Sequence, residues 1–148
     1  MYHLFTDGAC QPNPGNGGWS FIVRNMDTKE VWKVNGREND TTNNRMELLA
    51  VLKALEWLEQ KIPAGSEVKL FSDSRYLIDS IDVWIHGWRR KGWKTSANKP
   101  VKNKDLLTRI VELREKFKMT CEHVYGHSGH YENEECDRLA VAAIRSNA

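Results

Sequence analysis

Tyr2-His3-Leu4-Phe5-Thr6-Asp7 is the stretch on which the fold turns, an extended run rich in apolar and aromatic residues that ends on an acid. Its composition predicts a strand, and Gln11-Pro12-Asn13-Pro14-Gly15-Asn16-Gly17-Gly18 after it predicts a loop. Trp19 to Arg24 and Glu30 to Val34 then predict a hairpin, with residues 25–29 between the strands. From 43 to 60 the period changes to that of a helix. Leu48, Val51, Leu52, Leu55 and Leu58 recur at steps of three and four, and Pro63 and Gly65 follow as stop signals. Val68 to Phe71 predicts a second apolar strand, ending in Ser72-Asp73-Ser74, where a helical stretch begins. A short helix plus loop, a helix over Lys104 to Phe117, a strand over Cys121 to Val124 and a closing helix over Asn133 to Ser146 complete the chain. A strand, a hairpin, then alternating helices and strands predict the α/β class. The expected form is one domain over 1–148, a mixed five-stranded sheet flanked by helices.

At 148 residues with 40% hydrophobic content, the chain has the composition of a globular domain that needs no disulfide or metal to fold. It contains no apolar run near the ~18–20 residues that cross a bilayer. The first residues have neither the basic lead nor the apolar stretch of a secretion signal. Cys10, Cys121 and Cys136 form an odd set without C-x-x-C spacing, which argues for a reducing compartment. A cytoplasmic monomer without membrane contact is the expectation. Net charge is +2, but residues 83–104 alone carry +7 and no acid, leaving the remainder at −5. A compact basic patch on an otherwise acidic chain is the electrostatic footprint of a phosphate binder.

Most of the twenty carboxylates are expected to be solvated surface charges. Four break that pattern. Asp7 and Asp73 each end a strand, Glu47 lies between Met46 and Leu48 near the start of an amphipathic helix, and Asp137 lies between Cys136 and the Leu139-Ala140-Val141 stretch. Strand ends in α/β sheets are where ligands dock. Convergent bare carboxylates repel one another, and a divalent cation such as Mg²⁺ resolves that conflict with hard oxygen ligands. Gly15-Asn16-Gly17-Gly18 lacks the G-K-[ST] ending of a phosphate-cradling P-loop, which argues against a kinase or ATPase. His127 and His130 form an H-x-x-H, but no second ligand pair with zinc spacing accompanies it.

Four ordered motifs sharpen this reading. Thr6-Asp7-Gly8-Ala9-Cys10, Thr41-Thr42-Asn43-Asn44-Arg45-Met46-Glu47-Leu48, Ser72-Asp73-Ser74, and Gly126-His127-Ser128-Gly129-His130 with Asn133-Glu134-Glu135-Cys136-Asp137 resemble ribonuclease H, type 1, over nearly the whole chain. The likeness is greatest to the stand-alone bacterial enzymes. It implies the ribonuclease H-like fold and an endonuclease that hydrolyses the RNA strand of RNA–DNA hybrids, leaving 5′-phosphate and 3′-hydroxyl ends. It further implies that Asp7, Glu47, Asp73 and Asp137 hold two Mg²⁺ ions, with Mn²⁺ able to substitute, in an in-line displacement. His127 matches an active-site histidine credited with proton transfer or product release, against the plainer role of a solvated loop histidine. Glu134 lies in the same motif and ranks below these five.

The likeness also bears on substrate binding. Residues 82–104 are similar to the protruding basic handle of the bacterial enzymes, and within them Trp84, Trp88 and Trp93 interleave with Arg89, Arg90, Lys91 and Lys94. Cations there neutralise phosphates and flat rings pack on sugars, while the four-residue step from Trp84 to Trp88 equally suits helix packing. Thr42, Asn43 and Asn44 match a hybrid-contacting motif and also suit helix capping. Cys10 and Asn13 match further contact positions. Arg75 stands where many relatives carry an uncharged amide, so a contact there is not carried over. Two other readings stay open: a nuclease or strand-transfer enzyme on the same fold, and a hybrid-binding module without catalysis.

Overall fold

A computed structural model gives the architecture and describes residues 1–95, 97–125 and 131–145. The strands are β1 (Tyr2–Cys10), β2 (Gly15–Asn25), β3 (Val31–Thr41), β4 (Glu67–Ser72) and β5 (Lys118–His123). The helices are α1 (Asn43–Lys61), α2 (Arg75–Asp79), α3 (Ile85–Arg90), α4 (Lys104–Arg114) and α5 (Tyr131–Ile144), with a π-helical segment Ser80–Trp84 joining α2 to α3. The strands form one sheet in the order β3-β2-β1-β4-β5. β1 pairs antiparallel with β2 and β2 with β3, whereas β1–β4 and β4–β5 are parallel. This is the expected mixed five-stranded α/β sheet.

Two apolar clusters hold the layers together. The larger gathers Leu4, Phe21, Val23 and Leu70 of the sheet with Leu48, Leu52 and Leu55 of α1 and Leu107 and Ile110 of α4. The smaller joins Phe5, Ile22, Phe71 and Val124 to Cys136 of α5, with Leu139 packed against it. α1 buries eight residues. At roughly 1.5–3 kcal/mol for each large apolar side chain, packing rather than helix propensity holds it in place. No helix among the described residues is long and apolar enough to cross a membrane.

Several expected boundaries move, each for a physical reason. The loop expected over Gln11–Gly18 contracts, because β1 continues to Cys10 and β2 already begins at Gly15. Gly17 and Gly18 look like loop residues but lie in a strand where other elements press close. A Cβ on Gly17 would meet the Thr41 Cγ2 at 2.5 Å, and one on Gly18 the Ala140 carbonyl oxygen at 2.0 Å. β3 runs on to Thr41 instead of stopping at Val34, although 35–41 is polar. As the sheet's outer strand it pairs only with β2 and leaves charged side chains in water, a pattern that suits an edge. The helical stretch after Asp73 begins at Arg75, capped by the Ser74 hydroxyl, which accepts from the Leu77 N–H at 3.1 Å. α4 ends at Arg114 rather than Phe117, and β5 occupies Lys118–His123 rather than Cys121–Val124. α5 starts two residues early and closes at Ile144; Ser146, where it was expected to end, lies outside the described residues.

Candidate active site

The sheet brings the first two acids together. In the parallel pairing of β1 with β4, Phe5 lies beside Phe71, and two residues further along each chain come Asp7 and Asp73. Glu47 arrives from α1, whose first turns cross the end of β1 at Gly8. A Cβ there would stand 2.4 Å from both the Met46 carbonyl carbon and the Glu47 nitrogen, so a larger residue would push the helix away. α5 supplies Asp137. It is drawn to the sheet where the Ser20 hydroxyl donates to the Cys136 carbonyl at 2.6 Å and the Cys136 thiol donates to the Phe5 carbonyl at 3.3 Å.

Ligand oxygens of Asp7, Glu47 and Asp73 all lie within 4.8 Å of one another. Asp137, exposed on α5, stands outside that trio but hydrogen-bonds the Asp7 carboxyl and adds its charge there. Burial pushes the Asp7 pKa up to about 8, and the charges of Asp73 and Asp137 add to the shift. The Glu47 carboxyl is held well above the ordinary range, first by burial and then by Asp7 and Asp73. Its Oε2 is buried without a hydrogen-bond partner. An orphaned carboxylate oxygen among mutually repelling carboxylates, in a purely oxygen donor set, fits a hard divalent cation.

Substrate-side candidates line an open cleft of about 1200 Å³ that includes Asn13, Thr42, Asn43, Asn44, Trp84 and Trp88. Thr42 caps α1, accepting from the Arg45 N–H at 3.2 Å, and the Asn13 carbonyl oxygen of the side chain accepts from the Asn43 N–H at 3.2 Å. Cys10 turns inward: it is buried, and its thiol donates to the carbonyls of Pro12 and Thr41 at 3.2 and 3.3 Å. Of the three handle tryptophans, Trp88 and Trp93 pack against the larger core while Trp84 is exposed, with its ring 5.8 Å from that of Trp88. Packing and exposure are therefore both realised in the pair, on different rings. Arg90, Lys91 and Lys94 are exposed beside Trp84, whereas Arg89 lies 3.9 Å from Glu115. Arg75 faces Asp79 at 3.9 Å, and Glu134 is exposed in the first turn of α5.

Part of the cleft wall carries no signal in the sequence motifs. Tyr76, Lys99, Lys102 and Asn103 line it, and Asn103 links Arg45 to the Tyr76 hydroxyl through hydrogen bonds of 3.2 and 3.1 Å. The charge of Lys99 and Lys102 was visible in the basic run. The left-handed backbone of Asn103, at φ 62°, leaves no comparable trace in the pattern. His127 and His130 lie outside the described residues.

Against known proteins, residues 1–145 match the RNase H family model. The chain belongs to the ribonuclease H family. It is 50% identical to the ribonuclease H of Rhizobium meliloti (strain 1021) over 138 residues, 93% of this chain and 86% of that one. With the ribonuclease H of Rhodospirillum rubrum it shares 52% identity over 93% of this chain and 79% of the relative. Among solved structures, LC9-RNase H1, a type 1 RNase H with the type 2 active-site motif, superposes with a TM-score of 0.83 at 29% identity. That match covers 97% of this chain and 72% of the other.

Proposed function

We propose that the chain is an endonuclease that hydrolyses the RNA strand of RNA–DNA hybrids, leaving 5′-phosphate and 3′-hydroxyl ends. The observation that carries this reading is the oxygen cluster of Asp7, Glu47 and Asp73, all within 4.8 Å, in a member of the ribonuclease H family. Asp7, Glu47, Asp73 and Asp137 would hold two Mg²⁺ ions, or Mn²⁺ in their place. Bound divalent ions supply Lewis-acid activation of water and charge stabilisation at the leaving oxygen. The chain's own part is to hold four carboxylates from β1, α1, β4 and α5 in one constellation, with Asp7 buried and Glu47 half-buried at its floor. We assign His127, on family likeness, to proton transfer or product release.

The basic handle over about 82–104 and the cleft beside α1 would grip the hybrid. Exposed Arg90, Lys91 and Lys94 reach phosphates, Trp84 offers a flat face to a sugar, and Thr42, Asn43 and Asn44 present donors at a helix N-terminus. Discrimination of RNA is expected through its 2′-hydroxyls in the shallow minor groove. The three free cysteines suit a reducing cytoplasm, and the enzyme is expected to act as a monomer. The decisive assay compares a labelled RNA–DNA hybrid, an all-DNA duplex and single-stranded RNA, each with and without Mg²⁺. Magnesium-dependent cutting of the hybrid's RNA strand is expected. Cutting of the DNA duplex would favour a different nuclease or strand-transfer enzyme, and tight binding without cutting a silent binding module.

A further inference from the structure

We infer that Ser20 is a positioning residue for Asp137, acting through the backbone carbonyl of Cys136. This rests on the four-carboxylate reading above. Ser20 is the cross-strand partner of Asp7 in the β1–β2 pairing, and it is fully buried at 0% exposure. A hydroxyl in that setting is costly unless it is bonded. Its bond goes to the Cys136 carbonyl at 2.6 Å. That oxygen sits in the body of α5, where the helical ladder already offers it an N–H partner, so the hydroxyl is not rescuing an orphan acceptor. What the extra bond does is fix the height and rotation of α5 over the sheet. The Cys136 thiol makes the matching contact on the neighbouring strand, donating to the Phe5 carbonyl at 3.3 Å. One helical residue is thus held from β2 and from β1, beside and two residues before Asp7. The next residue is Asp137.

The clasp matters because Asp137 is exposed, so burial does little to fix its side chain against Asp7. Its placement against Asp7 is inherited from the backbone of α5. Gly18, where any Cβ would fall 2.0 Å from the Ala140 carbonyl oxygen, lets the helix settle that close. Outer-shell groups that orient a metal ligand typically change metal affinity or activity by about 10–100-fold when removed, and a hold exerted through the backbone is expected at the lower end.

The test is a double-mutant cycle on metal binding, with Mn²⁺ titrated calorimetrically into wild type, Ser20→Ala, Asp137→Asn and the double variant. Ser20→Ala is expected to weaken Mn²⁺ binding by about 10-fold. It should lower kcat for a hybrid without changing KM, because the substrate cleft lies elsewhere. On the Asp137→Asn background, Ser20→Ala is expected to cause no further loss, since the group it positions is gone. Equal losses on both backgrounds would mean general loosening and overturn the inference. Unchanged binding in Asp137→Asn overturns the four-carboxylate reading beneath it, while weakened binding there with unchanged binding in Ser20→Ala overturns the role of Ser20 alone.

Discussion

Asp7 is where stability and activity pull in opposite directions. Its carboxyl ionises near neutral pH, at about 8, because burial and neighbouring acids oppose its charge. In the unfolded chain it would ionise near the ordinary 3.8, so between these values the folded state holds a proton that the unfolded state has released. The contribution is fully present below pH 3.8 and drains away as pH rises towards 8. The slope for one proton is about 1.4 kcal/mol per pH unit. Urea unfolding in the presence of a chelator, run from pH 5 to pH 8, should therefore show falling stability. Added Mg²⁺ should flatten that decline, supplying about 2.7 kcal/mol at a hundredfold excess over its dissociation constant. Asp7→Asn removes the buried charge: we expect cleavage to fall by at least about 10²–10³-fold, as when a charge-stabilising group is deleted. The chelated variant should meanwhile unfold at a higher urea concentration than wild type at pH 8. Near-normal turnover in Asp7→Asn would remove this residue from the site.

Elements decide whether such residues meet. Gly8→Ala inserts a methyl 2.4 Å from the α1 backbone at Met46 and Glu47. Overpacking of this kind costs about 1–3 kcal/mol, and because helix backbone is the obstacle the upper end is expected. Activity should suffer beyond what the loss in Tm accounts for, since Glu47 moves with α1; parallel melting and cleavage measurements check this. In the handle, Arg89→Ala, Arg90→Ala and Lys91→Ala combined should raise KM and flatten the dependence of log affinity on log salt by about 0.9 for each phosphate left without its cation. An unchanged slope would remove the handle from substrate binding. At this scale the sequence was legible where periodicity was strong, as in α1, whose apolar steps gave its start and its end within a residue. It was illegible where a residue's role depends on what lies across from it. Gly17 and Gly18 read as loop because nothing local announces Met46 or Ala140 pressing on them, and the run of β3 beyond Val34 goes unannounced because an edge strand needs no apolar face. The acids stood out for the opposite reason: a carboxylate at the end of an apolar strand violates the local pattern. Ser20 violates nothing and passes unseen.

Across the whole molecule, the sheet separates the two apolar clusters, and the site lies at the end of its β1 and β4 strands, with Phe5 and Phe71 of the smaller cluster two residues before Asp7 and Asp73. The larger cluster carries most of the burial. Leu55→Ala or Leu107→Ala, both at 0% exposure, should each cost about 2–5 kcal/mol in urea unfolding while leaving kcat of the folded fraction near wild type. A specific loss of kcat in either variant would mean that the core and the pocket are not separable in this way. The pairing of β1 with β4 has a temporal consequence. Asp7 and Asp73 become neighbours through a pairing that spans the hairpin and all of α1, and distant pairings of this kind are slow to form. A chain in which β1 and β4 have not yet paired thus carries every acid of the pocket without gathering them, and nucleolytic power waits on that long-range pairing.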